Sequence, residues 1–303
     1  MTRLYYLLKP SIPRFLQLFI RKIHIKSLMI HHKDSWPVLS GSEKKPENWK
    51  GWPDGKKFAL VLTHDVEHQA GHDKVKNLLL VEKEMGFVSS FNFVPKRYNV
   101  SAELRKFIVD NGFEVGVHGL YHDGKLYSSK EEFLNRAEKI NSYLAEWNAV
   151  GFRSPSMHHN LDWIRNLNIL YDSSTFDVDP FEPQPDGVGT IFPFWVPPQD
   201  GLNGYVELPY TLPQDFTVFI LMQEKGLEIW KQKLDWIVQN GGMALVNVHP
   251  DYIEFSTEDN NRETFPISYY CQFLEYINKN YSNLFWNPLP KHIAEFSKDF
   301  FNN

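Results

Sequence analysis

The sequence holds a single cysteine, Cys271, in 303 residues. No disulfide can form within the chain and no thiolate metal cluster can be built. One free thiol fits a reducing compartment. Long apolar runs are missing too. Charges interrupt every window of about 18 residues, so no membrane-spanning helix is expected. Near the start, residues 15–20 are the longest apolar stretch; they are too short for a secretory signal, and no small-residue cleavage site follows. The expected setting is therefore cytoplasmic. A basic stripe of the size that nucleic acid demands is missing from the main body, and the net charge is −5; nucleic acid is not an expected partner. There is no internal repeat and no long low-complexity run.

What is present is ordinary in bulk and unusual in places. Hydrophobic residues make up 42% and charged residues 23% of the chain, enough to bury a core. The length suits one large α/β barrel domain with a short extension. Aromatics reach 15%; their flat faces suit sugar rings, and they suit an aromatic-rich core equally well. Residues 1–33 carry Arg3, Lys9, Arg14, Arg21, Lys22, Lys26 and Lys33 with no acid among them, interleaved with apolar residues. Such a basic amphipathic segment can lie on an anionic membrane surface, at the inner face of the membrane. It can equally pack on the body of the protein with its basic face in water. Residues 34–56, rich in Pro, Gly, Ser and Trp, read as an irregular linker. Residues 1–56 are thus an arm and linker, and 57–303 the main domain.

From Lys57 onward, short apolar runs alternate with amphipathic segments. Strands are expected at 58–62, 90–94, 113–117, 149–152, 169–173, 206–208, 217–221 and 243–248. Helices are expected at 74–85, 101–111, from Ser129 to about Trp147, and at 161–167, 227–239, 266–280 and 291–300. Ser101 reads as an N-cap, and Ser129 with Glu132 as a capping box. Residues 176–216, with eight prolines, read as a long loop. Strands alternating with helices over some 240 residues point to a parallel, barrel-like sheet. In such barrels the chemistry sits at the C-terminal ends of the strands.

The residues at those ends form a coherent set. Asp65 and Glu67 follow the first strand, and His118 and His122 the third. Arg153 follows the fourth, Asp172 lies in the next, and His249 follows the run 243–248. A His-x-x-x-His spacing is not specific in itself, since His64, His68 and His72 repeat it. Position separates His118 and His122: one stands at a strand end and the other a turn later. Two imidazoles and one carboxylate leave an open place on a zinc ion, and Glu67 can supply the carboxylate. Asp65 and Glu67, two apart, point the same way if the strand continues through Val66. One can bind metal while the other takes a proton from water. Arg153 can keep Asp65 ionised, and His249 can protonate a departing amine. Against these stand blander roles: Glu67 as a helix cap, Arg153 in a surface ion pair, His249 satisfied in the core.

In order and spacing these residues resemble the polysaccharide deacetylases, the NodB-homology domain or carbohydrate esterase family four, over a span from Phe58 to about His249. The resemblance implies a distorted (β/α) barrel with seven strands and zinc-dependent removal of acyl groups from amino sugars. It implies Asp65 as base and His118 and His122 as metal ligands. The family's usual metal aspartate is Val66 here; a branch of the family reads Asp-x-Asp or Asp-x-Glu, and Glu67 fits it. Arg153 and Pro155 match the Arg-x-Pro motif, whose usual final glycine is Met157. His249 matches the last motif, and Asp172, preferred to Asp177, is expected to orient it.

The expected function is therefore a metal-dependent, most simply zinc-dependent, hydrolase. It removes an N-acyl group, acetyl in the simplest case, from an amino sugar of a glycan or lipid-linked glycan precursor. Two alternatives stay open: a hydrolase of non-sugar amides or ureides, and a non-catalytic glycan-binding barrel.

Overall fold

The computed structural model describes residues 13–256 and 263–301. Seven parallel strands form the frame: β1 (Phe58–Val66), β2 (Ser89–Phe93), β3 (Glu114–His118), β4 (Gly151–Arg153), β5 (Tyr171–Asp172), β7 (Tyr205–Glu207) and β8 (Met243–Asn247). They run in the order β8-β1-β2-β3-β4-β5-β7. The short β6 (Phe194–Val196) adds antiparallel to β7 at the far edge. Near its start β1 also pairs with β9 (Phe285–Trp286). Between β7 and β8 no ladder forms. Instead the backbone N–H groups of Thr211 and Leu212 both donate to the carbonyl of Leu245 at 3.0 Å. This bridge joins the two edges by chain without strand geometry.

The strands read as near-continuous apolar runs because helices cover their outer faces. All nine residues of β1 are buried. The helices are α2 (Gln69–Glu84), α3 (Ala102–Asp110), α4 (Lys130–Trp147), the short α5 (Leu161–Ile164), α6 (Glu228–Asn240), α7 (Ile267–Tyr281) and α8 (Pro290–Phe301). The expected caps are there: Ser101 Oγ accepts from the Leu104 N–H and Ser129 Oγ from the Glu132 N–H, each at 3.1 Å. The second cap is half of a box, since Glu132 turns to Arg136.

One expected strand is not a strand. Residues 217–221 belong to a π-helical segment, Phe216–Leu221, all six residues buried. A short, fully apolar run has no periodicity to separate strand from buried helix.

Upstream of the barrel, α1 (Arg14–His32) packs on the π-helical segment, and its Leu18 and Ile25 are buried. Residues 34–56 are pinned by tryptophans. Trp52 Nε1 donates to the carbonyl of Gly241 at 2.8 Å, and Trp49 sits edge-on between Trp52 and Phe192. These aromatics are anchors for the linker. Residues 1–12, which carry part of the basic segment, lie outside the described residues. No helix of the described residues is long and apolar enough to cross a membrane.

Candidate metal and acid-base site

Strand alternation decides the site. On β1, Thr63 and Asp65 face one way and His64 and Val66 the other. Asp65 is held from three sides. Its Oδ1 accepts from Asn92 Nδ2 at 2.9 Å and lies 3.4 Å from the Arg153 guanidinium; its Oδ2 accepts from Asn247 Nδ2 at 2.8 Å. Burial alone would raise this carboxyl, but His118, Arg153, His249 and the Asn92 bond outweigh it and bring it down to about 2. Arg153 is itself fixed by Thr63 Oγ1 at 2.8 Å and by the carbonyl and hydroxyl of Ser173.

Glu67 stands one residue past β1. Its backbone N–H and that of His68 donate to the two oxygens of Asp251, both at 2.9 Å. Gly71 makes this clamp possible, because a Cβ there would come within 2.1 Å of Asp251 Oδ2. The Glu67 carboxylate lies 2.9 Å from His122 Nε2 and accepts from the Tyr252 hydroxyl at 3.1 Å. Burial raises this carboxyl; His122 beside it, with His249 and His118, carries it well below the usual range.

His118 ends β3. Its Nδ1 is 3.1 Å from the carbonyl of Arg153, which accepts only if Nδ1 carries the proton. That tautomer leaves the Nε2 lone pair free. The Nε2 atoms of His118 and His122 are both buried; that of His118 has no hydrogen-bond partner among the described residues, and that of His122 meets only the Glu67 carboxylate. Burial lowers His118 to about 4, against the pull of Asp65. His122 reaches the site from a backbone at φ 54°, a conformation costly for a residue with a Cβ. One ligand atom each from Glu67, His118 and His122 lie within 4.8 Å of one another. A carboxylate oxygen and two imidazole nitrogens that no other protein group claims fit, at that separation, a divalent ion with an open position.

His249 faces the same cavity as Asp65, Glu67, His118 and His122. The expected partner for it was Asp172, and that is corrected. Asp215 holds His249, its Oδ1 2.6 Å from Nδ1 and its Oδ2 accepting the backbone N–H at 2.8 Å. Burial would lower His249, but the Asp215 charge and bond, with Glu67 and Asp65, raise it to about 10. Asp172 instead accepts from the Ser174 hydroxyl at 2.6 Å and is buried beside Glu207. Burial and the Asp172 charge push Glu207 up. Asp177 pairs with Lys233. Asp215 sits in the proline-rich stretch just before an apolar run, where it also caps the π-helical segment by accepting from the Phe216 N–H. That cap position was its one signal in the sequence. Asn92, Asn247 and Asp251 were likewise not singled out.

Met157, in place of the expected glycine, lines the cavity with φ 52°, after Ser156 at φ 56°. The left-handed turn survives although neither residue is a glycine. The cavity encloses about 850 Å³ including its open mouth.

No protein-family model and no curated protein matches the chain. Solved structures do. A protein assigned as a polysaccharide deacetylase from Mycobacterium smegmatis matches with TM-score 0.62 and 19% identity, over 85% of this chain and 96% of that one. An allantoinase matches with TM-score 0.62 and 16% identity over 80% and 92%. A protein assigned as a polysaccharide deacetylase from Pseudomonas aeruginosa PAO1 matches with TM-score 0.59 and 16% identity over 80% and 92%.

Proposed function

The chain has the distorted (β/α) barrel of the polysaccharide deacetylases, and from that premise we propose that it is a metal-dependent hydrolase removing an N-acyl group, acetyl in the simplest case, from an amino sugar. The observation that carries this reading is one cavity lined by the Glu67, His118 and His122 cluster, the ionised Asp65 and the Asp215-bound His249. Glu67, His118 and His122 would hold the ion, and zinc suits two imidazoles with one carboxylate. Bound there, it would supply a Lewis acid for the amide carbonyl and a more acidic water.

The chain's own groups do the rest. The Arg153 carbonyl fixes the His118 tautomer that presents Nε2 inward. Asn92, Asn247 and Arg153 aim Asp65 and keep it ionised, so it can take a proton from the attacking water. Asp215 keeps His249 protonated and oriented, ready to hand a proton to the leaving amine nitrogen. An imidazolium and a carboxylate facing one cavity divide acid and base work by environment. A merely glycan-binding barrel has no need of that division.

The deciding experiment pairs two variants with metal analysis and acetate release from N-acetylglucosamine oligomers. Asp65→Asn retains metal and loses turnover by about 10³- to 10⁴-fold; Glu67→Ala loses metal. Parent-rate hydrolysis by Asp65→Asn sinks the base assignment, and unchanged metal in Glu67→Ala sinks the ligand set. The allantoinase neighbour makes a cyclic ureide the rival substrate. Hydrolysis of allantoin in preference to the sugar oligomers would favour that reading.

For the setting, we place the outer face of α1 on an anionic membrane surface. Leu16, Phe19, Ile23 and Ile30 are 37%, 58%, 54% and 73% exposed and fall within a stripe about 60° wide at 100° per residue. Lys22, Lys26 and Lys33 flank it, and no acid lies between residues 13 and 33. An apolar stripe with a basic flank complements anionic lipid. This setting suits a lipid-linked glycan precursor as substrate. Co-sedimentation with phosphatidylglycerol vesicles, lost in Phe19→Ser/Ile23→Ser, is expected. Equal binding by that variant, or dimerisation through this face, would remove the idea.

A further inference from the structure

One wall of the catalytic cavity does not come from the barrel. Arg21, on α1, lines it alongside Asp65, Glu67, His118, His122 and His249. Two observations fix its place. Leu18 and Ile25 are buried at 7% and 3% exposure, one to either side of Arg21 in sequence, and so seat the helix on the π-helical segment. The guanidinium carbon lies 4.9 Å from the centre of the Phe216 ring, a distance at which the ring face holds a cation. Phe216 directly follows Asp215, the partner of His249, so Arg21 is tied to the catalytic side of the cavity.

What Arg21 lacks is a counter-charge in contact with it. It makes no ion pair with a carboxylate among the described residues. The acid its charge acts on is Glu182, whose Oε1 already accepts from the Tyr210 hydroxyl and from Gln214. Glu182 and the neighbouring Asp179 are both buried, and Tyr210 bonds to both. Burial pushes both acids upward, Asp179 to about 8, and at Glu182 the Arg21 charge works against that, so the two together carry less than two negative charges near neutral pH and balance Arg21 only in part. A guanidinium presents a planar fork of donors that matches a carboxylate or phosphate. Held on an aromatic face, with Glu182 acting on it only at longer range and no carboxylate in ion-pair contact among the described residues, that fork can take an anion on the ligand.

We propose that Arg21, braced on Phe216, is an anion subsite beside the hydrolytic residues, and that the substrate is an acidic amino sugar whose carboxylate or phosphate it binds. The proposal rests on the amide-hydrolase reading for its substrate, though the subsite itself can be measured by binding alone. It also gives α1 a second task, since the helix whose outer face is exposed supplies a specificity-determining residue from its inner face.

The test uses the full-length, zinc-loaded chain with three probes: N-acetylglucosamine 1-phosphate, the N-acetylglucosamine uronic acid, and neutral methyl N-acetylglucosaminide. Acetate release gives kcat/KM, and calorimetric titration into an Asp65→Asn background gives affinity without turnover. In Arg21→Gln the ratio of kcat/KM for the preferred anionic probe to that for the neutral probe should fall about 10- to 100-fold, chiefly through KM. Arg21→Lys should recover part of it. Whichever of the phosphate and carboxylate probes the parent prefers names the source of the anion. An unchanged ratio in Arg21→Gln, or a parent that binds neither anion better than the neutral probe, overturns the subsite. If no probe releases acetate yet Arg21→Gln still loses anion affinity, the hydrolase reading fails and the subsite stands.

Discussion

Two histidine–carboxylate groups lie back to back across β1, and they differ in one respect. On the helix side, His64 has both ring nitrogens satisfied, Nδ1 by the Val248 carbonyl and Nε2 by Glu82 Oε1, each at 2.9 Å. Its ring stacks on Phe91 at 4.7 Å, and Glu82 also accepts from Ser89 and Tyr270. On the cavity side, His118 has one nitrogen satisfied and the other bare. The residue types are the same, and His64 and His118 are both buried. A closed ring of partners makes the first group part of the core. A missing partner, aimed into a cavity with Glu67 and His122, makes the second a place for a ligand. Residue type and burial do not separate structure from function here; the count of satisfied atoms does.

The sharpest way to break the comparison is on the cavity side, at Asp215. Asparagine there keeps the size and removes the charge that holds His249 protonated. Turnover on a responsive substrate should drop by about 10²- to 10³-fold. The pH profile should move as well. A proton donor works below its pKa, and His249 is now raised to about 10 by Asp215 after burial has lowered it. Without that charge the alkaline limb should shift down by more than about one pH unit. A lower rate with an unmoved limb would leave Asp215 only a packing role. A matching Asp172→Asn should leave the limb in place, because its carboxyl serves Ser174 and Glu207.

That contrast between Asp215 and Asp172 marks how far the sequence could be read. Asp65, Glu67, His118, Arg153 and His249 were legible because each follows or ends an apolar run, and a parallel barrel exposes such ends at one rim. The alternating strands and helices, and the Ser101 and Ser129 caps, were legible for the same local reasons. Asp215 was not, because residues 176–216 have no periodicity and its apolar neighbours 217–221 fit strand and buried helix alike. Asp172 misled because β5 is only two residues long, so a strand-end rule had little strand to act on. Asn92 sits inside β2, where the pattern gives the facing side but not the partner. Arg21 looked like one more cation in a basic segment; only the seating of α1 through Leu18 and Ile25 turns it toward the cavity.

On the helix side, the comparison predicts a different failure. His64→Ala strips a partner from the buried Glu82 and opens a gap beside Phe91. Breaking such a pair should cost about 3 kcal/mol of stability, read as a lower urea midpoint. Metal taken up per folded molecule should not change, since His64 points away from Glu67, His118 and His122. If metal stoichiometry falls with stability held, His64 belongs to the site after all and the two sides are not separate.

The mildest test uses the two ends of one strand. β3 ends in His118 at the cavity and begins at Glu114, buried beneath the barrel. Glu114 accepts from the Tyr171 hydroxyl at 3.0 Å and from the Lys291 N–H at 3.2 Å. Burial raises its carboxyl to about 7, with those bonds opposing. The folded state therefore holds a proton that the unfolded chain releases above its ordinary pKa near 4.5. Between those values the native form binds more protons, so stability falls as pH rises, by about 2 kcal/mol from about pH 5 to 7. Glu114→Gln keeps an acceptor for Tyr171 and carries no charge, so this slope should flatten while metal uptake at the other end of the strand should be untouched. Urea unfolding of parent and variant across that range measures it. An equal slope in both would mean that Glu114 stays ionised in the fold, and that burial at the base of the barrel is less dry than its contacts imply.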